Sequence, residues 1–138
     1  MTAISALMTR EPCCVSRGTT LREAAERMRD LDVGDVLVVE DDRLEGIITD
    51  RDITVRAVAD GMDVDVTTVD EICSGDPLTA SPDEDAEAVA DRMREGAVRR
   101  IPVVEGGRPI GIVSLGDLAI RMDPTSPLAD ISEAPADR

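Results

Sequence analysis

An internal repeat constrains the fold of this chain more than any other feature of its sequence. The stretch GIITDRDI, residues 46–53, returns sixty-five positions later as GIVSLGDL, residues 111–118, and the same offset pairs Met28 with Met93. Self-similarity at a fixed period usually means that a single copy cannot bury its apolar face alone. Two copies of about 60 residues suit one compact domain of about 120 to 140 residues. We therefore expect a single pseudo-symmetric domain.

The repeat also sets the expected boundaries. Repeat one should cover about residues 1–63 and repeat two about residues 66–122, so that the domain spans residues 1–122. Residues 123–138 contain three prolines and little periodicity, a pattern that is typical of a flexible C-terminal tail.

Each copy predicts the same order of elements, β-α-β-β-α, and hence an α+β fold. A short extended segment precedes a helix whose apolar residues recur at i, i+3, i+4 and i+7, which places them on one buried stripe. Thr20 with Glu23, and Ser81 with Glu84, predict the helix starts. Two buried strands joined by a polar turn follow, and a second helix begins at the repeated motif. The two stripes consist of Leu21, Ala24, Ala25 and Met28, and of Ala86, Val89, Ala90 and Met93.

The charge of the chain excludes several classes of partner. The formal net charge is −15, and every basic residue is an arginine. Phosphate backbones and anionic membrane surfaces are held by clustered cations, so we expect neither nucleic acid nor a membrane as a partner. No apolar run approaches the roughly 18 residues that cross a bilayer, and the first residues do not resemble a secretory signal. These observations predict a cytoplasmic protein.

Residue types that usually build an active site or a metal site are scarce. Histidine is absent, so the familiar zinc sites lack a ligand, and no nucleophile lies beside a plausible base. We expect no enzyme and no metal site. The three cysteines, Cys13, Cys14 and Cys73, cannot form an ordinary disulfide framework. We interpret them as small hydrophobic residues, and a redox role of the adjacent pair stays open.

The repeated Gly-h-h-[Thr/Ser]-x-x-Asp motif, in which h is aliphatic, admits two interpretations. Thr49 and Ser114 lie where a strand ends and a helix begins, so their hydroxyls and the first backbone amides could bind a phosphate. Asp52 and Asp117 follow in the first helical turn, where one carboxylate could accept from both hydroxyls of a ribose. The same spacing is also typical of a helix cap, worth about 1 kcal/mol. The motif glycine permits a sharp turn or close approach of a ligand.

The paired β-α-β-β-α units, each with this motif after its hairpin, resemble the two halves of a CBS-domain pair, or Bateman module, over nearly all of residues 3–122. The resemblance implies that the repeats pack through their sheets and that the clefts between them bind adenosyl compounds such as AMP, ADP, ATP, S-adenosylmethionine or NAD. It also implies a homodimer, for which the apolar stretches Ile53–Ala59 and Leu118–Met122 are the expected contact. The chain is little longer than the pair, as in stand-alone members of that family.

The two copies differ where a phosphate would need cations. Arg99 and Arg100 align with Gly34 and Asp35, so the second copy alone has paired arginines before its buried strand. The resemblance implies that these arginines contact the phosphates, and Arg51 is a partial substitute in the first copy. The alternative is an exposed ion pair with one of the many carboxylates, which is worth little. In so acidic a protein a phosphate should need these arginines, Mg²⁺, or both.

The sequence therefore favours a regulatory module that senses an adenine nucleotide and signals to a partner protein or through its own dimer, with no required cofactor. The alternative is a structural or interaction protein with empty clefts. Any planar ligand would lie between aliphatic side chains, because Phe, Tyr and Trp are absent. The identity of the adenosyl ligand, the number of occupied clefts and the regulated partner do not follow from these residues. The candidate ligand-binding residues are Thr49, Arg51, Asp52, Arg99, Arg100, Ser114 and Asp117.

Overall fold

The structure is a computed structural model that describes residues 1–122. The predicted tail, 123–138, lies outside the described residues. The described part of the chain divides into two compact units, one formed by residues 12–77 and the other by residues 1–11 and 78–122. Each unit has its own hydrophobic core. That both units form one domain stays a prediction.

The elements of the first repeat follow the predicted order, whereas the second repeat has only a bridge at Ala80 where a strand was predicted before its first helix. In chain order the elements are a 3₁₀ turn Ile4–Ala6, β1 Thr9–Arg10, β2 Cys14–Ser16, α1 Leu21–Leu31, β3 Asp35–Glu40, β4 Arg43–Thr49, α2 Asp50–Asp52, a π-helix Ile53–Val58, α3 Val69–Ile72, β5 Ser74–Gly75, α4 Ala86–Gly96, β6 Arg100–Glu105, β7 Arg108–Ser114 and α5 Leu115–Met122. The α+β fold class is confirmed.

The unit of residues 12–77 is a four-stranded sheet packed against α1. The strand order is β2-β3-β4-β5, with β2 parallel to β3 and the other pairs antiparallel. Asp41 and Asp42, with φ of 51° and 63°, form the two-residue turn of the β3–β4 hairpin. Two left-handed residues suit such a turn because they match the twist of the strands. Its core contains Val15, Leu21, Ala24, Met28, Val36, Val38, Ile48, Ala57, Val69 and Ile72.

The second unit is a three-stranded sheet of order β1-β7-β6, packed against α4 and α5. The β6–β7 hairpin runs from the pair Arg100 and Ser114 to the pair Glu105 and Arg108 at the turn. In place of a strand before α4, a single parallel bridge joins Ala80 to β6. Its core contains Ile4, Met8, Ala80, Ala86, Val89, Met93, Ile101, Val103, Val113 and Leu118.

The opening segment of each repeat packs on the other repeat. The Ile4 amide donates to the Glu84 carbonyl at 2.9 Å, and β1 pairs with β7. Sixty-five residues on, the Val69 amide donates to the Thr19 carbonyl at 2.8 Å, and β5 pairs with β4. The structure thus groups residues 1–11 with the second repeat, whereas the sequence analysis placed them in repeat one.

The predicted helix starts have different outcomes in the two copies. Thr20 and Glu23 form a capping box at the start of α1, as predicted. The prediction for Ser81 and Glu84 is wrong, because α4 begins at Ala86 and Glu84 pairs with an arginine of that helix instead. Ala25, expected on the buried stripe of α1, is exposed, while the other predicted stripe residues are buried or partly buried.

Candidate functional site

Both repeated motifs form capping boxes. The Asp52 amide donates to Thr49 Oγ1 at 3.1 Å, and Asp52 Oδ2 accepts from the Thr49 amide at 2.9 Å. In the second copy the Asp117 amide donates to Ser114 Oγ at 3.0 Å, and Asp117 Oδ2 accepts from the Ser114 amide at 2.8 Å. The cap interpretation is therefore confirmed at both motifs. Since a carboxylate offers about four acceptor positions, each cap leaves acceptor capacity on its aspartate.

The first motif has no backbone amide left for a phosphate. The Asp50 amide donates to the Gly34 carbonyl at 3.0 Å, and the Arg51 amide donates to Asp50 Oδ1 at 2.8 Å. The Asp52 amide is taken by the cap. The backbone amides that were expected to bind an anion beside Thr49 are therefore already hydrogen-bonded to acceptors of the protein itself.

The second motif keeps one such amide. The Leu115 amide donates to the Arg99 carbonyl at 2.8 Å, and the Asp117 amide donates to Ser114 Oγ. The Gly116 amide, which corresponds to that of Arg51, has no hydrogen-bond partner among residues 1–122. The reason lies in the preceding residue, because Leu115 has no side-chain acceptor where the first motif has Asp50.

The hairpin brings the candidate residues of the second repeat together. Arg100 lies directly opposite Ser114 in the β6–β7 register. Arg99 precedes β6, and its carbonyl accepts from the first amide of α5. Arg99 is exposed, whereas Arg100 is partly buried and also interacts within the chain. One end of this hairpin thus combines a hydroxyl, a carboxylate, an amide and two arginines.

The corresponding end of the first hairpin is acidic. Asp35 lies opposite Thr49, and Asp50 follows directly. Arg51 is exposed. The sequence analysis missed Arg56, whose Nε lies 3.8 Å from Asp52 Oδ1 and whose Nη1 donates to the Ile72 carbonyl at 3.0 Å. The spacing of Asp52 and Arg56, i and i+4 on a helix, is the signal that could have identified it.

A partly aliphatic cleft lies beside the first motif. It has a volume of about 270 Å³, and its apolar lining comes from Leu21, Ala25, Ile53 and Val64. Ile53 directly follows Asp52 in the chain. The remaining lining residues, Arg22, Glu26 and Arg29, are charged, so the cleft combines aliphatic side chains with ionic groups.

The motif glycines serve packing within each unit. A Cβ on Gly46 would lie 2.7 Å from the Ser74 carbonyl oxygen, and one on Gly111 would lie 2.9 Å from that of Thr9. Neither distance is tolerated by real side chains. The close approach that the sequence predicted at these glycines is thus made by β5 and β1 of the protein itself.

Alanine at Gly46 is expected to lower the free energy of unfolding by about 1 to 3 kcal/mol, the range for an overpacked site. The clash is with backbone, which a rotamer change cannot relieve. Gly75 faces Gly46 across the β4–β5 pair and has open space at its Cβ position, so Gly75→Ala is the matched control. Chemical denaturation followed by circular dichroism measures both variants. Equal stabilities would contradict the packing role.

The cysteines are free thiols in this structure. Burial raises the pKa of Cys14 and of Cys73 above the ordinary thiol value. A raised pKa disfavours the reactive thiolate, which agrees with the interpretation of these residues as small hydrophobic side chains. Among residues 1–122, no group of three His, Cys, Asp or Glu side chains could hold a metal ion. None of the helices there is both long enough and apolar enough to span a bilayer.

A protein-family model matches most of this chain. The CBS domain model matches twice, over residues 4–58 and 69–131. The CBS domain-containing protein YhcV of Bacillus subtilis is 38% identical over 120 residues, which cover 87% of this chain and 85% of YhcV.

Solved structures with similar folds include two CBS-domain proteins bound to adenosyl compounds and one protein with coordinated zinc. The CBS domain protein PAE2072 of Pyrobaculum aerophilum, complexed with AMP, has a TM-score of 0.80 at 26% identity, covering 96% of this chain and 100% of that one. The CBS domain pair of MJ0100, in complex with 5′-methylthioadenosine and S-adenosyl-L-methionine, has a TM-score of 0.81 at 26% identity, covering 91% and 99%. Hypoxic Response Protein I, with two coordinated zinc ions, has a TM-score of 0.80 at 33% identity, covering 87% and 98%.

Proposed function

Because this chain belongs to the CBS-domain family, we propose that it is a regulatory module that binds an adenosyl compound, most favourably an adenine nucleotide, and that it is not an enzyme. The observation that carries the proposal is the grouping of Arg99, Ser114 and Asp117 at one end of the β6–β7 hairpin. The complexes of PAE2072 with AMP and of MJ0100 with two adenosyl compounds support this ligand class.

The residues of the second repeat suit separate parts of a nucleotide. The Gly116 amide and the Ser114 hydroxyl can donate to phosphate oxygens, and the guanidinium groups of Arg99 and Arg100 add charge-assisted bonds. The acceptor positions that the cap leaves on Asp117 can accept from ribose hydroxyls. With a net charge of −15 on the protein, Mg²⁺ would further reduce repulsion of the phosphates.

Isothermal titration calorimetry tests the proposal. AMP, ADP, ATP, NAD, 5′-methylthioadenosine and S-adenosylmethionine are titrated with and without Mg²⁺. A calorimetric signal is needed because the chain lacks Trp and Tyr. We expect saturable binding of at least one of these compounds. If all six compounds give only the heat of dilution, the proposal is contradicted and the alternative, a structural or interaction protein without a ligand, is favoured.

Arg100→Ala is expected to weaken nucleotide binding about tenfold, which is about 1.4 kcal/mol, because one charge-assisted contact is lost. Arg108→Ala is the matched control, since it removes the same charge at the turn end of the same hairpin, about 17 Å away at 3.3 Å per residue. If both variants weaken binding equally, the effect is one of net charge and Arg100 is not a phosphate ligand.

The first repeat favours a different role for its own motif. Its amides are occupied, and Asp35 and Asp50 flank Thr49. A phosphate is disfavoured at Thr49 by the charge of Asp35 and Asp50, while the partly aliphatic cleft beside Ile53 suits an adenosyl compound without a phosphate. We expect 5′-methylthioadenosine or S-adenosylmethionine, if bound, to perturb this repeat more than AMP does.

We also propose that the chain forms a homodimer through Ile53–Ala59. Val55 and Val58 there are 46% and 61% exposed, whereas Leu118 of the second predicted stretch is 3% exposed and packs in its own core. Light scattering at micromolar concentration should give the mass of a dimer. Val58→Asp should give a monomer, since it buries a charge in an apolar contact, and Val66→Asp, at a 70% exposed site, should not. A monomeric unmodified chain would contradict the proposal.

A further inference from the structure

The turn before the first helix has the same geometry in both repeats. The Thr19 amide donates to the Ser16 carbonyl at 3.1 Å, and sixty-five residues later the Glu84 amide donates to the Ser81 carbonyl at 3.1 Å. A helix of eleven residues follows in each case. The two turns can therefore be compared position by position.

In the second repeat this turn holds a carboxylate. Glu84 Oε1 accepts from Arg92 Nη2 at 2.6 Å, and Glu84 Oε2 accepts from Arg92 Nη1 at 3.0 Å and from the Ser81 amide at 2.8 Å. Arg92 Nη1 also donates to the Thr79 carbonyl at 2.8 Å. The bond from Arg92 lowers the pKa of Glu84. The arginine and the serine amide together form a binding position for a carboxylate, and the chain fills it with Glu84.

The first repeat has the corresponding binding position, but no carboxylate of the protein fills it. Arg27 corresponds to Arg92 and Ser16 to Ser81, but Thr19 stands where the second repeat has Glu84. Within residues 1–122, the hydrogen-bond partner of Thr19 Oγ1 is Ser16 Oγ, at 3.2 Å. Arg27 has no ion pair and no hydrogen bond with any other residue between 1 and 122.

The Ser16 amide and the Arg27 side chain both lie at this position. The Leu37 amide donates to the Cys13 carbonyl, so alternate residues of β2 face β3 and the Ser16 amide is directed to the outer edge. Burial raises the pKa of Cys14, and the charge of Arg27 partly offsets that rise. Arg27 and Cys14 line the same cleft, and Arg92 correspondingly contacts Thr79, the counterpart of Cys14.

An open cleft of about 490 Å³ occupies this place, and Ser16, Thr19 and Arg27 are among its lining residues. Two acids also line it. Glu23 Oε2 is engaged by the Thr20 amide at 3.2 Å, and Glu26 lies 4.0 Å from Arg29. The counterpart of Glu26 in the second repeat, Asp91, pairs with Arg94 and does not prevent the Arg92–Glu84 pair.

We propose that this cleft binds the carboxylate of a small organic acid or of an acidic peptide side chain, held between Arg27, the Ser16 amide and the Thr19 hydroxyl. The carboxylate takes the place that Glu84 fills in the second repeat. The site is separate from the site of the adenosyl ligand. The first repeat would thus bind a second class of ligand, a carboxylate. Because Glu23 and the overall charge oppose an anion, binding is weak and falls with added salt.

The test is a titration of ¹⁵N-labelled protein followed by NMR. Glutarate represents a free acid, and an acetylated and amidated tripeptide with a central glutamate represents a peptide side chain. We expect saturable shifts of the Ser16 amide and the Arg27 Nε–H signals with at least one of them, and the tighter one identifies the source. Glutaramide and the glutamine tripeptide, which have the same shape without charge, should cause no saturable shift.

Variants at Thr19 separate this site from a general attraction to cations. Thr19→Glu supplies the missing carboxylate, so it should raise the melting temperature and weaken binding at least tenfold. Thr19→Gln introduces a side chain of the same size without the charge, so it should leave the melting temperature unchanged. Arg27→Gln should weaken binding at least tenfold with little change in stability. Glu84→Thr should create a second site of the same kind at Arg92.

Two results would overturn the proposal. One is an equal response of the same signals to chloride or inorganic phosphate at the same ionic strength, which would mean that any anion is attracted. The other is unchanged carboxylate binding in Thr19→Glu. Adenosyl binding should be unaffected by either Thr19 variant, so the outcome is separate from that of the proposed function.

Discussion

Ile4→Ala is expected to lower the free energy of unfolding by about 2 to 5 kcal/mol, the usual cost of truncating a large aliphatic side chain in a packed core. Ile4 is fully buried and belongs to a core that otherwise comes mostly from residues 80–118. Its amide also donates to the Glu84 carbonyl. A residue near the start of the chain thus stabilises the unit built from the second repeat.

Hydrogen exchange can locate this effect. Protection should fall in α4, β6 and β7, because these elements share the core of Ile4, and less in residues 12–77. Denaturant unfolding followed by circular dichroism gives the total loss. Val66→Ala is the control, since Val66 is 70% exposed and surface substitutions usually stay within about 0.5 kcal/mol. A loss of protection confined to residues 12–77 would contradict the observed grouping.

The position of Ile4 is a part of the fold that the sequence could not predict. The hairpins, the capped motif helices and the helical stripes apart from Ala25 follow from local periodicity and spacing, and they were predicted correctly. The offset of sixty-five establishes that the copies are alike, but it does not say on which copy an opening segment packs. Ile4 and Val69 occupy equivalent positions, and a short connection permits either choice.

The candidate site was predictable in part for a related reason. A motif of hydroxyl and aspartate predicts a capped helix because the contacts lie within four residues, and both caps are present. The occupation of the first motif's amides depends on Asp50 and on the Gly34 carbonyl, which comes from another element. Glu84 fits a helix-start pattern equally well by spacing, and only the proximity of Arg92 in the fold decides its role.

Cap and ligand contact are compatible uses of one aspartate. Asp117 Oδ2 accepts from the Ser114 amide, which takes one of about four acceptor positions of the carboxylate. The remaining positions can accept from a ribose diol. Asparagine can keep the cap through its single oxygen, but it then presents an amide donor to the diol. Substitution by asparagine therefore separates the two roles better than alanine, which would remove both.

Asp117→Asn is expected to weaken AMP binding by about 1.5 to 3 kcal/mol, the value of hydrogen bonds to a charged group, which corresponds to about 10- to 150-fold. The stability cost should stay near 0.3 to about 1 kcal/mol, from the lost charge at a helix N-terminus. Asp52→Asn is the matched variant at the other cap, and a smaller effect on AMP is expected because no paired arginines accompany it.

Calorimetry with AMP and 2′-deoxy-AMP completes the comparison. The unmodified protein should prefer AMP, and Asp117→Asn should bind both alike. Equal affinity of the unmodified protein for the two nucleotides would mean that the aspartates only cap their helices.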